Sequence, residues 1–471
     1  MQSSKIQWCT HTFNPWRGCT KVSEGCRNCY AETMSNINHA TLGIWGPNGT
    51  RVVANPSQWK LVDDWNEWAR DGVCPVCAGS RKKVKDCKNC DGTGEVEPYQ
   101  ARVFCASLGD VCERTNITPQ WSNGNVFCFS GGSLCNSMTR EQAERAGLRI
   151  GTLDDVRTLL FEHIDRTPYI DWLLLTKRPE NILQVVPRRK SFRSMRILDS
   201  ATLKELPIEM FEPHEDWAKR LHDGQSLERL NQRGGISVFE AIQILTSDIR
   251  MPVDRASFTE TAKAGFTVQL QSLASRWGVF RENVWWGTSV ESENVLWRID
   301  ELCKVPAACR FVSMEPMLEP IDLSSHLGNA GDNQYRCSLC RERASVKTLQ
   351  EDESGRKTHA FCGGEVCIEQ NARHFSPIDW VIVGGESGSE ARTFQINWAR
   401  DIRDQCKAAG VAFFMKQMGD DPTEWHQHLW GGNGGLIPLG LIEDKGGDPS
   451  EWPDDLRIRE MPFTPVTTQK V

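Results

Sequence analysis

Asp171-Trp172-Leu173-Leu174-Leu175-Thr176-Lys177-Arg178 is the stretch from which the fold can be read. Its apolar residues are consecutive instead of alternating, which suits a strand buried on both faces, and basic residues follow at once. Similar runs recur at 102–106, 283–288, 310–314, 380–383 and 411–415, and an initial strand is expected at 6–10. Helix-like stretches lie between them, for example Pro56–Arg70, 139–145, 152–163, 295–303 and 397–409. Strand and helix in alternation imply parallel β/α units joined by right-handed crossovers. No phosphate-binding glycine fingerprint follows the first strand. A full or partial parallel β/α barrel of the α/β class, in the manner of a TIM barrel, is therefore expected in preference to an open doubly wound sheet.

Polar residues follow strand after strand: Ser107 and Asp110, Lys177 and Arg178, Ser289 and Glu291, Glu315, Glu386, then Lys416 and Gln417. The carboxyl ends of parallel strands form the ligand face of such folds, so the set is expected to line one pocket. For any one residue, an ordinary polar surface loop is the alternative.

The 471 residues carry a formal net charge of −7, with 39% hydrophobic and 25% charged residues, which fits a globular chain and excludes a strongly basic DNA-coating protein. No apolar run approaches the roughly 20 residues that span a bilayer, and the first residues contain no secretory apolar segment. A cytoplasmic protein without membrane association is expected. In such a chain, nineteen cysteines point to metal ligands or redox groups more than to disulfides.

Eleven of those cysteines fall into three clusters. Cys19, Cys26 and Cys29 follow the first expected strand with Cys-x6-Cys-x2-Cys spacing, and a glycine precedes each of the first two. Three thiolates on one loop can hold three irons of a [4Fe–4S] cluster and leave the fourth open to S-adenosylmethionine. A structural zinc wants four ligands, which Cys9 or His11 would complete. The second cluster, Cys74, Cys77, Cys87 and Cys90, reads CxxC-x9-CxxC, two knuckles that close a tetrahedral zinc shell. Lysines and an arginine between the knuckles make that ribbon a local basic patch. The third, Cys337, Cys340, Cys362 and Cys367, is looser and is expected to hold a second structural zinc, with His359 or His374 as substitute ligands. Both modules are too small to build a core alone, so metal would supply their folding energy. Cys105, Cys112, Cys128 and Cys135 are expected to be buried thiols.

The expected organisation is a barrel over 1–419, an inserted zinc ribbon at 72–98, a mostly helical insert at 188–281, a zinc-binding insert at 333–374, and an irregular tail at 420–471. Within the 188–281 insert, helices are expected at 215–221, 237–246 and 266–277.

The segments FNPWRGCTKVSEGCRNCYAE (13–32), RVFCASLGD (102–110), DWLLLTKRPEN (171–181), NVWWGTSVES (283–292), RFVSMEPMLEPIDL (310–323), IDWVIVGGESGSEAR (378–392) and VAFFMKQMG (411–419) together resemble a phage and prophage family. That family is named for paired actinophage gene products, has a three-cysteine motif, and is grouped with radical S-adenosylmethionine proteins. The resemblance implies an enzyme that reductively cleaves S-adenosylmethionine and abstracts hydrogen through the 5′-deoxyadenosyl radical, fed by a reductant protein. It further implies that Tyr30 and Glu32 flank the cluster, and that Gly384, Gly385 and Glu386 form the element that holds the methionine amino group. Ser289 and Glu291 would be cofactor contacts, and Lys177, Arg178, Glu315 and Lys416 contacts to substrate or cofactor. The usual radical motif has a first gap of three residues, where this chain has six, and its glycine-glycine-glutamate element comes earlier. A nucleotide or nucleic-acid substrate fits the phage setting and the zinc inserts. The rival expectation is a non-catalytic zinc protein that binds nucleic acid or a phage protein, with all three clusters structural.

Overall fold

Seven parallel strands make one sheet in the computed structural model: β1 (His11–Thr12), β2 (Ala101–Cys105), β3 (Ile170–Thr176), β4 (Val284–Ser289), β5 (Cys309–Met314), β6 (Trp380–Gly384) and β7 (Ala412–Gln417). Their order in the sheet is their order in the chain. A sheet that winds in one direction without reversal is a partial α/β barrel, whereas a doubly wound sheet reverses. The structure describes residues 4, 6–77, 87, 89–130, 133–134, 138–187, 192–199, 258–262, 266–272, 281, 283–327, 335–337, 343–344, 349–351, 357–359, 366–368, 377–426 and 435–462. Two units are distinguished: Met1–Pro187 with Val279–His359 and Gly364–Val471, and Arg188–Gly278 with Ala360–Gly363.

In the first unit, helices α1 (Tyr30–Ile37), α2 (Pro56–Arg70), α3 (Leu153–Arg166), α4 (Trp297–Cys303) and α5 (Ile396–Ala409) accompany the strands. Sequence explains where they begin and end. Asn55 with Gln58, and Thr152 with Asp155, form capping boxes at the starts of α2 and α3. Gly410, at φ +67°, ends α5 in a left-handed cap.

The two faces of the sheet bury different residues. Val103, Trp172, Leu174, Trp286, Val312, Val381 and Phe413 share one core with Trp59 and Val62 of α2, Leu160 of α3, Leu302 of α4 and Ile402 of α5. The other face carries Phe104, Leu173, Trp285, Phe311, Trp380, Ile382 and Phe414, closed by Trp8. Trp8 lies 4.5 Å from Phe104 and 6.1 Å from Trp380, ring centre to ring centre. These aromatic rings fill the inside of the half-barrel near the strand starts. Gly287 belongs to that packing, because a Cβ there would collide with the Phe311 ring. Further along the strands the same face turns polar, with Ser289, Ser313, Glu315 and Lys416 toward the carboxyl ends. The site is built there.

Several expectations need correction. Residues 6–10 form a turn, and pairing with β2 starts only where the Thr10 amide meets the Arg102 carbonyl, because Trp8 is committed to the floor. The tail is not irregular throughout. Pro422–His426 pairs with Gly435–Pro438 and with Phe394–Gln395, and residues 458–460 bond the β7 edge through Ile458 to Met415 and Glu460 to Phe413. In the second unit, Phe266–Ser272, expected within a helix, is a strand between Phe192–Asp199 and Phe258–Ala262. Its Phe-Thr-Val-Gln-Leu-Gln-Ser alternates apolar and polar, the two-residue period of a strand. The helices expected at 215–221 and 237–246 lie outside the described residues.

Candidate functional site

The cysteine loop leaves β1 and is shaped first by glycine. Trp16–Arg17 pairs with Arg51–Val53. Gly18 then takes φ +107°, where a Cβ would strike the Thr50 carbonyl oxygen. Cys19 follows directly. Gly25 lies flat against the Glu291 side chain, leaving no room for a Cβ, and Cys26 comes next at the end of a 3₁₀ turn. Cys29 is the residue that caps the start of α1. Burial pushes the Cys29 thiol up, while the backbone amides of the first turn of α1, at Glu32 and Ala31, pull the other way. Burial, and then the Asp110 charge, push the Cys19 thiol up to about 12 in the metal-free chain.

Four sets of charged residues hold this loop at the strand ends. Arg178 Nη1 lies 2.7 Å from Asp110 and 3.6 Å from the Cys19 sulfur, and Nη2 donates to the Thr20 carbonyl at 2.6 Å. Arg51 and Glu113 form a buried bidentate pair, with Arg51 Nε at 2.6 Å and Nη2 at 2.8 Å, and Glu113 also accepts the Thr20 amide at 3.0 Å. Glu291, fully buried, is paired with Lys177 and with Arg298 at 2.9 Å and accepts from Ser23 at 3.3 Å. Burial alone would raise the Glu291 carboxyl, but Lys177 and Arg298 hold it below the usual range. The fourth set joins two loops. Glu386 binds Arg392 through Nη2 at 2.7 Å and Nε at 2.8 Å and accepts from Asn28 at 3.2 Å.

The expected site residues separate on this geometry. Lys177, Arg178, Glu291 and Glu386 converge on the cysteine loop. Glu315 and Lys416 pair with each other at 2.9 Å on the inside of the barrel, with Gly384 packed so closely that a Cβ would sit 3.1 Å from Glu315. Gly385 lies against the Met418 carbonyl, where again no Cβ fits. Ser289 is buried, and its carbonyl accepts from Arg298 at 3.0 Å. Tyr30 is exposed and donates to the Ser107 carbonyl at 2.8 Å, while Glu32 pairs with Lys21 at 2.6 Å. Both Glu386 oxygens are engaged by Arg392, so this carboxylate is occupied within the protein.

Cys9 and His11, the two candidate fourth ligands, lie elsewhere. The Cys9 thiol is in the floor core beside Trp8, donates to the Ser4 hydroxyl at 3.4 Å, and is pushed up to about 11 by burial. His11 stacks on Trp65 with ring centres 4.4 Å apart and contacts the Thr10 hydroxyl at 2.9 Å. Cys105, Cys112 and Cys128 are buried, and Cys135 lies outside the described residues. Sequence reading missed Arg51, Glu113, Arg298, Arg392 and Asn28. Only the glycines before Cys19 and Cys26 hinted that something pressed on the loop.

Cys74, Cys77, Cys87 and Cys90 form a second centre, able to coordinate a metal ion. Their sulfurs all lie within 4.8 Å of one another, and three of the four residues are buried. Cys74 and Cys87 are 3.9 Å apart, Cys77 and Cys90 3.6 Å. Asn89 and the Gly94 amide each donate to a sulfur at 3.2 Å, and Cys77 N to Cys74 O and Cys90 N to Cys87 O close the two knuckles. The module follows α2 and precedes β2, at the end of the barrel opposite the cysteine loop. Of the third set, Cys337 and Cys367 lie on neighbouring antiparallel strands, with Arg336 opposite Cys367, and Cys340 and Cys362 lie outside the described residues.

No described helix is long and apolar enough to cross a membrane. A family model described as "Protein of unknown function (DUF5131)" matches residues 3–127 and 151–429. No curated protein and no solved structure matches the chain.

Proposed function

The chain belongs to that family of unknown function, and on that premise we propose that it is a radical S-adenosylmethionine enzyme of the phage type its segments resemble. Cys19, Cys26 and Cys29 are its cluster ligands. The observation that carries the proposal is the isolation of those three thiols at the strand ends of a partial barrel, with Cys9 and His11 committed to the floor core and to Trp65. A [4Fe–4S] cluster on three cysteines keeps one iron open, and with an electron from a reductant protein it supplies the reductive cleavage of S-adenosylmethionine.

The chain's own residues prepare the place. Cys29 stands at the N-terminus of α1, where the positive end of the helix favours a thiolate. The three thiols are not gathered as the four-cysteine set is, in keeping with a cluster whose irons are themselves spread apart. Lys177, Ser289, Glu315 and Lys416, on the inward face of neighbouring strands, would meet cofactor and substrate. Glu386, held by Arg392, would keep the loop in place and leave the methionine amino group to other acceptors. A nucleotide or nucleic acid is the proposed substrate class.

The four-cysteine centre is proposed as structural zinc. A zinc–sulfur bond of about 2.3 Å gives a tetrahedron edge of about 3.8 Å, close to the 3.9 and 3.6 Å separations. Four sulfurs leave no open position for catalysis.

The test is metal and sulfide content of anaerobically purified protein, with electron paramagnetic resonance after reduction. About four irons per chain and a spectrum altered by S-adenosylmethionine are expected. Zinc alone, even after reconstitution, would move the protein to the class of non-catalytic zinc-binding proteins.

A further inference from the structure

Arg178 follows a barrel strand, where a basic residue is ordinarily read as a substrate contact. Resting on the proposal that the loop holds a cluster, we infer that Arg178 is a positioning residue, which fixes the Cys19 sulfur and sets the charge beside it. Its side chain is only 10% exposed. Nη1 is shared between Asp110 at 2.7 Å and the Cys19 sulfur at 3.6 Å, and Nη2 is spent on the Thr20 carbonyl at 2.6 Å.

Thr20, next to Cys19, is held at every polar group. Its carbonyl accepts from Arg178, its amide donates to Glu113 at 3.0 Å, and its hydroxyl accepts from Arg51 at 3.0 Å. Asp110 is anchored in turn by the Thr176 hydroxyl at 2.7 Å and by the Cys112 and Lys177 amides at 2.9 and 3.1 Å. Two arginines and two carboxylates thus form a closed, balanced frame, and its one donor contact to sulfur goes to a cluster ligand. Only a planar fork can serve Asp110, Thr20 and Cys19 together. Without Arg178, the Asp110 carboxylate would face the Cys19 thiolate unpaired.

Anaerobically reconstituted parent, Arg178→Gln and Arg178→Lys proteins test this through iron release to a chelator and the cluster's midpoint potential, read by paramagnetic resonance. Partners that orient a metal's ligands typically change affinity by about 10- to 100-fold. Arg178→Gln is expected to lose iron faster by about that factor, and its residual cluster to shift to a more negative potential, because a nearby positive charge favours the reduced state. Arg178→Lys keeps the charge and loses the fork, so its iron release should rise while its potential stays nearer the parent's. A purely structural role would reduce iron content without moving the potential, and that result would overturn the inference, as would release and potential equal to the parent's in both variants. If Arg178→Gln fails to fold, judged by loss of zinc and circular dichroism, Arg178→Lys carries the test through its release rate. A parent protein that takes up no iron would instead overturn the cluster reading, and this inference with it.

Discussion

Arg392 grips both carboxylate oxygens of Glu386 and with Nη1 reaches the Glu24 carbonyl in the cysteine loop at 3.0 Å. One side chain thereby ties the loop after β6 to the loop after β1, the first and sixth strands of the sheet. Burial would raise the Glu386 carboxyl, but the Arg392 hydrogen bonds and charge hold it below the usual range.

Arg392→Ala should therefore loosen the cysteine loop without unfolding the barrel. Breaking one side of such a partly buried pair costs about 1–3 kcal/mol. Alkylation of Cys26 and Cys29 in metal-free protein should become several-fold faster, and the urea midpoint should fall only by the small amount that this cost implies for a chain of this size. Unchanged alkylation rates would show that the tie does not restrain the loop.

Gly25→Ala should act on the same loop from the other side. The added methyl group runs into the Glu291 side chain, which Lys177 and Arg298 hold in place. Overpacking of this kind costs about 1–3 kcal/mol. The readout is thermal unfolding together with iron uptake, and a variant with parental values in both would mean that Glu291 is free to move.

The two kinds of cysteine site should empty independently. Cys19→Ala, Cys26→Ala or Cys29→Ala is expected to abolish cluster iron and spare zinc. Cys74→Ser or Cys87→Ser should remove one zinc and unfold its module while the barrel stays folded. Elemental analysis decides this, and equal loss of both metals from either set would show that the cysteines are wrongly divided.

His11 should make stability depend on pH. Burial pushes its ring down to about 4, against about 6.5 in an unfolded chain. The unfolded state then binds more protons between those values. The stabilisation is whole above pH 6.5 and is lost as pH falls toward 4, by about 3 kcal/mol in the limit. His11→Phe, which can still stack on Trp65, should flatten this slope. Urea titrations at pH 7 and pH 5 that fall equally for both proteins would rule His11 out as the cause.

How much of this was legible in the sequence depended on the range of each interaction. β2 to β7 were visible because strands buried on both faces need continuous apolar runs, and α2 as the helix-like stretch that begins at Pro56. The cysteine loop showed in its spacing, and the four-cysteine centre in its paired knuckles. Phe266–Ser272, expected within a helix, has the two-residue alternation of a strand. Arg51 and Glu113, 62 residues apart, leave no local pattern, and neither does the approach of Arg298 to Glu291. Partners of this kind are chosen by the fold after it forms.

The floor of the barrel also governs how the chain can be made. Its rings come from Trp8, Phe104, Trp285, Phe311, Trp380 and Phe414, spread over nearly the whole length. A nascent chain leaving the ribosome carries Trp8 from the outset but gains its partner Trp380 only near the end. Until Phe414 has emerged, no N-terminal portion can seal that floor, and a broad aromatic surface stays open to water. Contacts so distant in sequence close slowly and expose the unfinished chain to aggregation. Biosynthesis of this barrel is thus completed from its last strand, and shortened versions ending before β7 should require a chaperone to stay in solution.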